Sequence, residues 1–320
     1  MSICSKIESS YRATLFSRHD ADGSIFYFSA EDFPGLNKEP YSFVTRAGHR
    51  LSGCFYSYDG AVDGRLVVFD HGMGTGHRAY MREIELLARH GYLVFSYDHT
   101  GCTESEGEGT RGFAGSLADL DSALFAIKSA SRFENSKISV IGHSWGGFST
   151  LNIAARHHDV AHVIALSGFT SVKKMQADII PPFLFPLRRM LYKIEERANP
   201  DYVTYEAEES LAETSAKVLI IHSADDKTVK ISHFKRLARK LSGKENVRFL
   251  LVHGKNHNPN YTREAVESLG KFFAELKTKQ SRGELDTPEA KAEFIASYDW
   301  WRMTEQDGEV WAEIFKTLSQ

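Results

Sequence analysis

Short apolar runs alternate with amphipathic segments along most of the chain, and this alternation restricts the fold more than any other feature. The runs with strand length and β-branched or aromatic content are YSFVT, RLSGCFYSY, RLVVFD, YLVFSYD, KISVIG, HVIALSG, KVLIIHS and VRFLLVHG. Between them, YMREIELLARHG and VKISHFKRLARKL repeat apolar residues at the spacing of helices that pack on a sheet. We therefore predict an α/β fold with a mostly parallel central sheet flanked by helices.

The composition is that of an ordinary soluble globular protein. The 320 residues, 42% hydrophobic and 25% charged, can form one large α/β domain with insertions. A net charge of -3 provides no surplus of Lys and Arg, so we expect no nucleic-acid partner. The three cysteines are scattered, which indicates neither a disulfide framework nor a paired metal site. No apolar run approaches the roughly 20 residues of a membrane span, so we expect a cytoplasmic protein without a transmembrane segment.

Two regions interrupt the alternation and suggest the domain organisation. Residues 169–216 include the apolar, proline-punctuated stretch DIIPPFLFPLRRMLYKIEERANPDYV, which we interpret as a helical cap inserted over the sheet. After Leu276 we predict a polar link, KTKQSRGELDTPE, that leads into a helical tail, and we assign residues 281–320 to this C-terminal extension. We expect the tail to dock on the body of the protein, or to contact a partner or a second copy of the chain. The tail carries an apolar stripe of Val310, Trp311, Ile314, Phe315 and Leu318. The remaining chain divides into an N-terminal extension, 1–40, and a core, 41–168 and 217–280.

The stretch VIGHSWGG contains a serine between two glycines at the end of a predicted strand. Gly142 and Gly146 allow a sharp strand-to-helix turn, with Ser144 at its apex and the hydroxyl projecting over the carboxyl edge of the sheet. A GxSxG pattern alone is weak evidence, because a serine in this position also serves as an ordinary helix N-cap. The nucleophile hypothesis therefore depends on partners elsewhere in the chain.

A serine hydroxyl needs a base and a carboxylate to become a nucleophile at neutral pH. In this strand order the carboxylate and the histidine follow the serine, at the ends of later strands. HSADDKTV offers Asp225 and Asp226, of which we favour Asp226. VRFLLVHGKNHNP offers His253 at the strand end and His257 in the following loop, where a side chain can reach over the sheet.

A tetrahedral intermediate also needs backbone N–H groups directed at its oxyanion. The amide of Trp145 directly follows the serine and provides one candidate. The stretch VVFDHGMGTGHRAY ends an earlier strand in an HG pair, so the amide of Met73 provides a second.

With these motifs the sequence resembles the α/β-hydrolase superfamily, and more narrowly its monoacylglycerol lipase and lysophospholipase (serine aminopeptidase-like) group. The shared motifs are HGMGTGHRAY, YDHTGCTESEGEG, GHSWGG and the pair HSADDKTV and GKNH, in that order. The resemblance covers about residues 41–276. The resemblance implies Ser144 as nucleophile, Asp226 and His257 as its partners, and the amides of Met73 and Trp145 as oxyanion donors.

The sequence departs from the family pattern at two points near the serine. Thr103 stands where the family loop has glycine, which we expect to alter the shape of that loop. Trp145 replaces the methionine of GHSMGG, and we expect its side chain to narrow the space beside Ser144.

The cap is the main sequence clue to the substrate. Its apolar residues, among them Ile180, Phe183 and Phe185, could line a tunnel for an acyl chain or form the cap's own core. We predict that the substrate is a small-molecule carboxylic ester, monoacylglycerol- or lysophospholipid-like, cleaved through an acyl-enzyme. No cofactor is expected.

Other functions remain open on the sequence alone. An aminopeptidase or amidase would use the same machinery, and a binding protein of this fold would carry a misaligned triad. A dinucleotide-binding oxidoreductase would use the glycine loop with Asp98 as its ribose acid, although His77 occupies the position of its third glycine. We expect no metal site from His71, His77 and His99, because no carboxylate or cysteine joins them at ligand spacing.

Overall fold

An eight-stranded sheet forms the centre of the computed structural model, which describes residues 3–20, 24–62, 64–74 and 76–320. The strands are β1 (Asn37–Val44), β2 (Arg50–Ser57), β3 (Arg65–Asp70), β4 (Leu93–Tyr97), β5 (Lys137–His143), β6 (His162–Leu166), β7 (Lys217–Ser223) and β8 (Val247–Val252). Their order in the sheet is β1-β2-β4-β3-β5-β6-β7-β8. Each of the runs predicted as a strand contributes to this sheet, and the predicted fold class is confirmed.

The sheet is mostly parallel. Strand β2 pairs antiparallel with β1 and β4, whereas every other neighbouring pair is parallel. The central strands β5, β6 and β7 are buried along nearly their whole length. A parallel sheet is covered on both faces, which explains why these strands read as continuous apolar runs rather than as an alternating pattern.

Helices cover both faces of the sheet. They are α1 (Ile3–Leu15), α2 (Met81–Arg89), α3 (Gly115–Ser129), α4 (Trp145–Ile153), α5 (Val172–Ile179), α6 (Phe185–Ala198), α7 (Ala207–Ser210), α8 (Ser232–Lys240), α9 (Arg263–Ser281), α10 (Pro288–Ala296), α11 (Trp300–Met303) and α12 (Gly308–Leu318). Alternate residues of β3 point to two separate cores, Leu66 and Val68 to one and Val67 and Phe69 to the other. Helices α3 and α4 pack into the first core, and α2, α9 and α12 into the second.

Helices α5, α6 and α7 lie in the chain between β6 and β7, where the cap insertion was predicted. The apolar side of α6 packs against the N-terminal helix rather than forming a large core of its own. Leu191 and Ile194 of α6 contact Tyr11 and Phe16. The hydroxyl of Tyr11 donates to Glu195 at 2.7 Å, so the N-terminal segment and α6 are joined by a polar contact as well.

The C-terminal tail docks on the body of the protein, one of the two outcomes expected from its apolar stripe. Val310, Trp311, Ile314 and Leu318 are buried in the same core as β3. The stretch expected to be a polar link is helical as far as Ser281, because Lys and Gln are good helix formers and only one side of α9 has to be apolar.

No helix in the described part of the chain combines the length and the apolar character that crossing a bilayer requires. The N-terminal extension predicted over 1–40 includes residues 1, 2 and 21–23, which lie outside the described residues.

Candidate active site

Ser144 lies at a sharp turn between β5 and α4, in a backbone conformation that non-glycine residues rarely adopt. Its φ is 56° and its ψ is -109°. The flanking glycines are required by close backbone approach: a Cβ on Gly142 would collide with the carbonyl of Gly146, and one on Gly146 would collide with the carbonyl of Asp70. The turn therefore holds Ser144 at the carboxyl edge of the sheet, beside the end of β3.

Three of the predicted side chains meet at this edge. The Nε2 atom of His257, in the loop after β8, lies 2.8 Å from Oγ of Ser144. The Nδ1 atom of the same ring lies 2.9 Å from Oδ2 of Asp226, which follows β7. A hydroxyl, an imidazole and a carboxylate in one hydrogen-bonded series are arranged for nucleophilic catalysis, because the base can take the serine proton while the carboxylate fixes its tautomer.

The surroundings of Asp226 keep it ionised. Burial raises the pKa of this carboxyl, but the hydrogen bond from His257 and its charge outweigh burial and bring the pKa below its usual value. The amides of Thr228 and Val229 donate to its other oxygen at 2.8 and 2.9 Å. The carboxylate is therefore held in place and available to accept the Nδ1 proton of His257.

The alternative acid and base that the sequence offered lie in other environments. Asp225 accepts the amides of Gly254 and Asn256 at 2.8 and 3.1 Å, so it ties the loop after β7 to the loop that carries His257. His253 is exposed, and its carbonyl accepts Nε of Arg263 at 3.1 Å. Among the described residues, neither of these two side chains is hydrogen-bonded to Ser144.

A second hydrogen-bonded series connects the loops of this site. The Nε2 atom of His143 lies 2.8 Å from the carbonyl oxygen of His257, and its Nδ1 atom lies 2.9 Å from the hydroxyl of Tyr80. The amide of Gly72 donates to the same hydroxyl at 3.1 Å. Burial and the charge of His257 lower the pKa of His143 to about 3, so its ring is neutral and donates from one nitrogen only.

The sequence analysis did not identify Tyr80 as a residue of this site. His143 was recognisable as a residue beside the nucleophile, but Tyr80 is separated from it by 63 positions. The available signal was its place at the end of HGMGTGHRAY, one helical turn into the segment that follows β3.

The two proposed oxyanion donors lie on segments that pack directly on each other, the loop after β3 and the start of α4. Trp145 is the first residue of α4, where an amide has no acceptor within the helix. Met73 is half-buried in the loop after β3, and the start of that loop touches the serine turn, since a Cβ on Gly146 would also crowd the carbonyl of His71.

The expectation that Trp145 narrows the space beside the serine is wrong. Its side chain is 1% exposed, and the indole Nε1 donates to the carbonyl of Phe113 at 2.7 Å. The indole ring also packs against His99, with 4.6 Å between ring centroids. The tryptophan side chain lies in the core between α3 and α4, together with Phe113, Leu117 and Phe148.

Thr103 has a backbone conformation that glycine adopts more easily than other residues, which is consistent with the glycine at this position of the family loop. Its φ is 40°, in the left-handed region. Its hydroxyl donates to Asp98, which compensates for some of this strain. Asp98 also accepts the amide of His77 at 2.8 Å and lies 2.7 Å from Nδ1 of its ring. The acid that a dinucleotide would need is thus already bound within the protein.

The three cap residues predicted to contact substrate differ in how deeply they are buried. Ile180 is buried in the small apolar cluster with Leu191 and Ile194. Phe183 and Phe185 are 80% and 63% exposed. A closed tunnel would shield its lining, so these positions do not support the expected acyl tunnel.

Among the described residues, no group of three or more His, Cys, Asp or Glu side chains is arranged to hold a metal ion. His71 and His99 lie close, with 4.5 Å between ring centroids, but the nitrogens of His99 lie 3.1 and 3.3 Å from carboxylate oxygens of Asp70 and Asp119.

Residues 63–205 match the family model described as serine aminopeptidase, S33. The matched range includes Ser144 and ends before Asp226 and His257. Over 287 residues the chain is 26% identical to alpha/beta hydrolase domain-containing protein 17B of Homo sapiens, covering 84% of this chain and 83% of that protein. It is 25% identical over 243 residues to protein YfhR of Escherichia coli, covering 73% of this chain and 79% of that protein.

Solved structures resemble the whole architecture. An esterase of Pyrococcus furiosus aligns with a TM-score of 0.59 and 19% identity, covering 83% of this chain and 97% of that one. An acetyl xylan esterase from Paenibacillus sp. R4 aligns with a TM-score of 0.57 and 17% identity, covering 78% and 87%. At this level of identity the likeness is one of fold.

Proposed function

Because this chain belongs to the α/β-hydrolase superfamily, we propose that it is a serine hydrolase that cleaves carboxylic esters through an acyl-enzyme. The observation that carries the proposal is the hydrogen-bonded series from Ser144 through His257 to Asp226, with separations of 2.8 and 2.9 Å. The strained backbone at Ser144 supports it, since residues held in rare conformations cluster at functional sites.

In the first half of the reaction, Oγ of Ser144 attacks the ester carbonyl while Nε2 of His257 takes its proton. Asp226 holds the imidazole with Nε2 facing the serine and stabilises the imidazolium that forms. The carbonyl π electrons move to the oxygen, and the amides of Met73 and Trp145 donate to this oxyanion. When the tetrahedral intermediate collapses, the bond between the former carbonyl carbon and the alcohol oxygen breaks, and His257 gives the proton to that leaving oxygen.

In the second half, water repeats the attack on the acyl-enzyme. His257 takes a proton from the water, and the resulting tetrahedral intermediate releases the carboxylic acid and restores Ser144. The protein groups that this cycle needs are one nucleophilic hydroxyl, one base, one carboxylate and two backbone amides, and they are the ones named above.

The family model's description, serine aminopeptidase, makes amide cleavage the second candidate. Esters are favoured because the two solved structures named above are esterases, and because an ester carbonyl is more electrophilic than an amide carbonyl, whose nitrogen lone pair stabilises it. The test is a panel of p-nitrophenyl esters and aminoacyl p-nitroanilides. It is run on the unaltered protein, on Ser144→Ala and on Ser129→Ala, an exposed serine of α3 that serves as the matched control.

We expect ester turnover by the unaltered protein and by the control, and a loss of about 10³-fold or more in Ser144→Ala. Turnover of the anilides with inert esters would replace the ester assignment by the amide one. Full ester turnover by Ser144→Ala would refute the serine mechanism.

A further inference from the structure

A cavity of about 570 Å³ opens beside the candidate active site, and its described lining contains no residue of the cap insertion, 169–216. Gly74 and Asn258 contribute to its lining, and each is the chain neighbour of a residue of the proposed machinery, Met73 and His257. Tyr80, which is hydrogen-bonded to His143, lines it as well. The cavity therefore borders both the oxyanion loop and the loop of the base, and its volume is in the range of small-ligand sites.

The outer wall of the cavity comes from the N-terminal segment, residues 18–20 and 24–28. This segment is fixed on the loop after β4. The guanidinium of Arg18 donates to the carbonyls of Ser105 and Gly107, both at 2.9 Å. The amide of His19 donates to the carbonyl of Gly101 at 2.9 Å, and the carbonyl of His19 accepts the amide of Thr103 at the same distance. The part of the wall at Arg18 and His19 is thus held on this loop by side-chain and backbone hydrogen bonds.

Much of the cavity lining is aromatic and apolar. Phe28 and Trp300 are buried, whereas Phe26 and Phe273 keep 37% and 47% of their surface exposed. Phe26 lies against both Phe28 and Trp300, with ring centroids 4.9 and 6.4 Å apart. Leu269 of α9 completes this wall. An apolar ligand group that packs on such exposed aromatic faces leaves water, and this burial favours binding.

The described lining carries no uncompensated charge. Its charged side chains, Arg18 and Asp20, pair with each other at 2.8 Å. Burial lowers the pKa of His19, and this effect outweighs the charge of Asp20, so the imidazole is neutral at neutral pH. A charged ligand group would find no free counter-ion here, whereas an uncharged one would displace water without breaking an ion pair.

We propose that this cavity binds an uncharged apolar part of the ester substrate, either a ring or a chain of medium length. This inference rests on the ester hydrolysis proposed above. The N-terminal segment and the helices α9 and α11 would then determine substrate preference, in place of the cap residues Phe183 and Phe185. An apolar group can reach the cavity from either end of the ester, the acyl chain or the alcohol, and the experiment separates these two sources.

The experiment measures kcat/KM for two ester series in the full chain. One series has acyl groups of increasing length on a fixed alcohol, and the other has alcohols of increasing size on a fixed acetyl group. The variants are Phe273→Ala in α9 and Phe26→Ala in the N-terminal segment, two residues that line the cavity. Phe125→Ala is the matched control, because this phenylalanine of α3 is 60% exposed and lies outside the cavity lining. Melting temperatures and far-UV circular dichroism verify that each variant is folded.

We expect kcat/KM for the smallest ester to change less than about twofold in both cavity variants. For the largest member of one series it should fall about tenfold, as expected when an apolar pocket loses contact area. The series that responds identifies the end of the ester that enters the cavity. Phe125→Ala should leave both series unchanged.

Unchanged preferences in both cavity variants would overturn the inference, and so would a preference that changes in Phe183→Ala instead. A separate measurement distinguishes this failure from failure of the proposed function. If Ser144 still reacts with a fluorophosphonate and small esters are still hydrolysed, only the cavity assignment is wrong. If neither occurs in the unaltered protein, the hydrolase proposal and this inference fall together.

Discussion

The imidazole of His143 and the backbone of His257 are directly linked, with 2.8 Å between Nε2 and the carbonyl oxygen. Because the ring of His143 is neutral, Nε2 donates and Nδ1 accepts, which requires the hydroxyl of Tyr80 to donate to Nδ1. That hydroxyl can then accept the amide of Gly72. One arrangement of protons thus joins the oxyanion loop, the serine turn and the loop of the base.

Replacing Tyr80 by phenylalanine should therefore lower kcat. The change leaves a buried imidazole nitrogen and the amide of Gly72 without partners, at a cost of about 1–3 kcal/mol for each such group if it stays dry. We expect kcat for a small ester to fall about tenfold with a KM that changes less than twofold, because the loops shift while the binding surface remains.

Steady-state kinetics provide the measurement. The control is Tyr298→Phe, because the hydroxyl of Tyr298 also donates to a side chain, that of Glu275, but belongs to the C-terminal tail. Equal losses of kcat in the two variants would show that Tyr80 has no specific positioning role.

Adjacent aspartates should respond differently to the same substitution. In Asp226→Asn the amide can present N–H to His257 and favour the wrong tautomer, so kcat should fall by about 10³- to 10⁴-fold with little loss of stability. In Asp225→Asn the loop contacts to Gly254 and Asn256 weaken, so the free energy of unfolding should fall by about 1 kcal/mol and kcat by less than tenfold. Kinetics and urea unfolding of both variants test this contrast, and a reversed order of the kcat losses would contradict it.

The stability of the protein should fall as the pH rises from 6.5 to 9. Burial lowers the pKa of His99, but the carboxylates of Asp70 and Asp119 outweigh it and raise the pKa from 6.5 to about 9. Below pH 6.5 the folded and unfolded states both hold the proton, and the stabilisation is fully present. It declines as the unfolded state loses the proton and is gone above pH 9, a total of roughly 3 kcal/mol.

His77 has its pKa raised to about 9 by Asp98 against the effect of burial, and it should add to this decline. Urea unfolding at several pH values is the measurement, with His99→Gln expected to show a lower but flatter profile. A free energy of unfolding that stays constant or rises over this pH range would exclude the ion-pair account.

Truncating Trp145 should destabilise the protein strongly. Trp145→Ala removes a fully buried indole and leaves the carbonyl of Phe113 without its donor, so the free energy of unfolding should fall by about 3–5 kcal/mol. Trp145→Met, a smaller change in volume, should cost less and keep the amide that we assign to the oxyanion. Urea unfolding compares the two variants, and a small loss in Trp145→Ala would mean that the indole is not packed as described.

Much of this architecture could be predicted from the chain itself. Strands such as β5 and β7 were recognisable because both faces of a parallel sheet are buried, which leaves an unbroken apolar run. The shared edge of parallel strands predicted a serine, an aspartate and a histidine close together, and the family resemblance selected Ser144, Asp226 and His257 from the candidates at that edge. Their catalytic roles stay a proposal.

Other features depend on side-chain directions that a linear pattern does not contain. The position of Trp145 beside the serine suggested a pocket residue, but the indole lies in the core between α3 and α4. Phe183 and Phe185 had the composition of a tunnel lining, yet they are exposed. The cavity wall formed by Phe26 and Trp300 joins segments from opposite ends of the chain, and no local periodicity relates them.

The most direct test of the central claim is covalent labelling with a fluorophosphonate, followed by peptide mass spectrometry. The unaltered protein and Ser129→Ala should each gain a single phosphonyl group, on the peptide that contains Ser144. Ser144→Ala should gain none, and Asp226→Asn should react at a strongly reduced rate. Labelling of Ser144→Ala to the same extent, or a label on a different serine of the unaltered protein, would contradict the account.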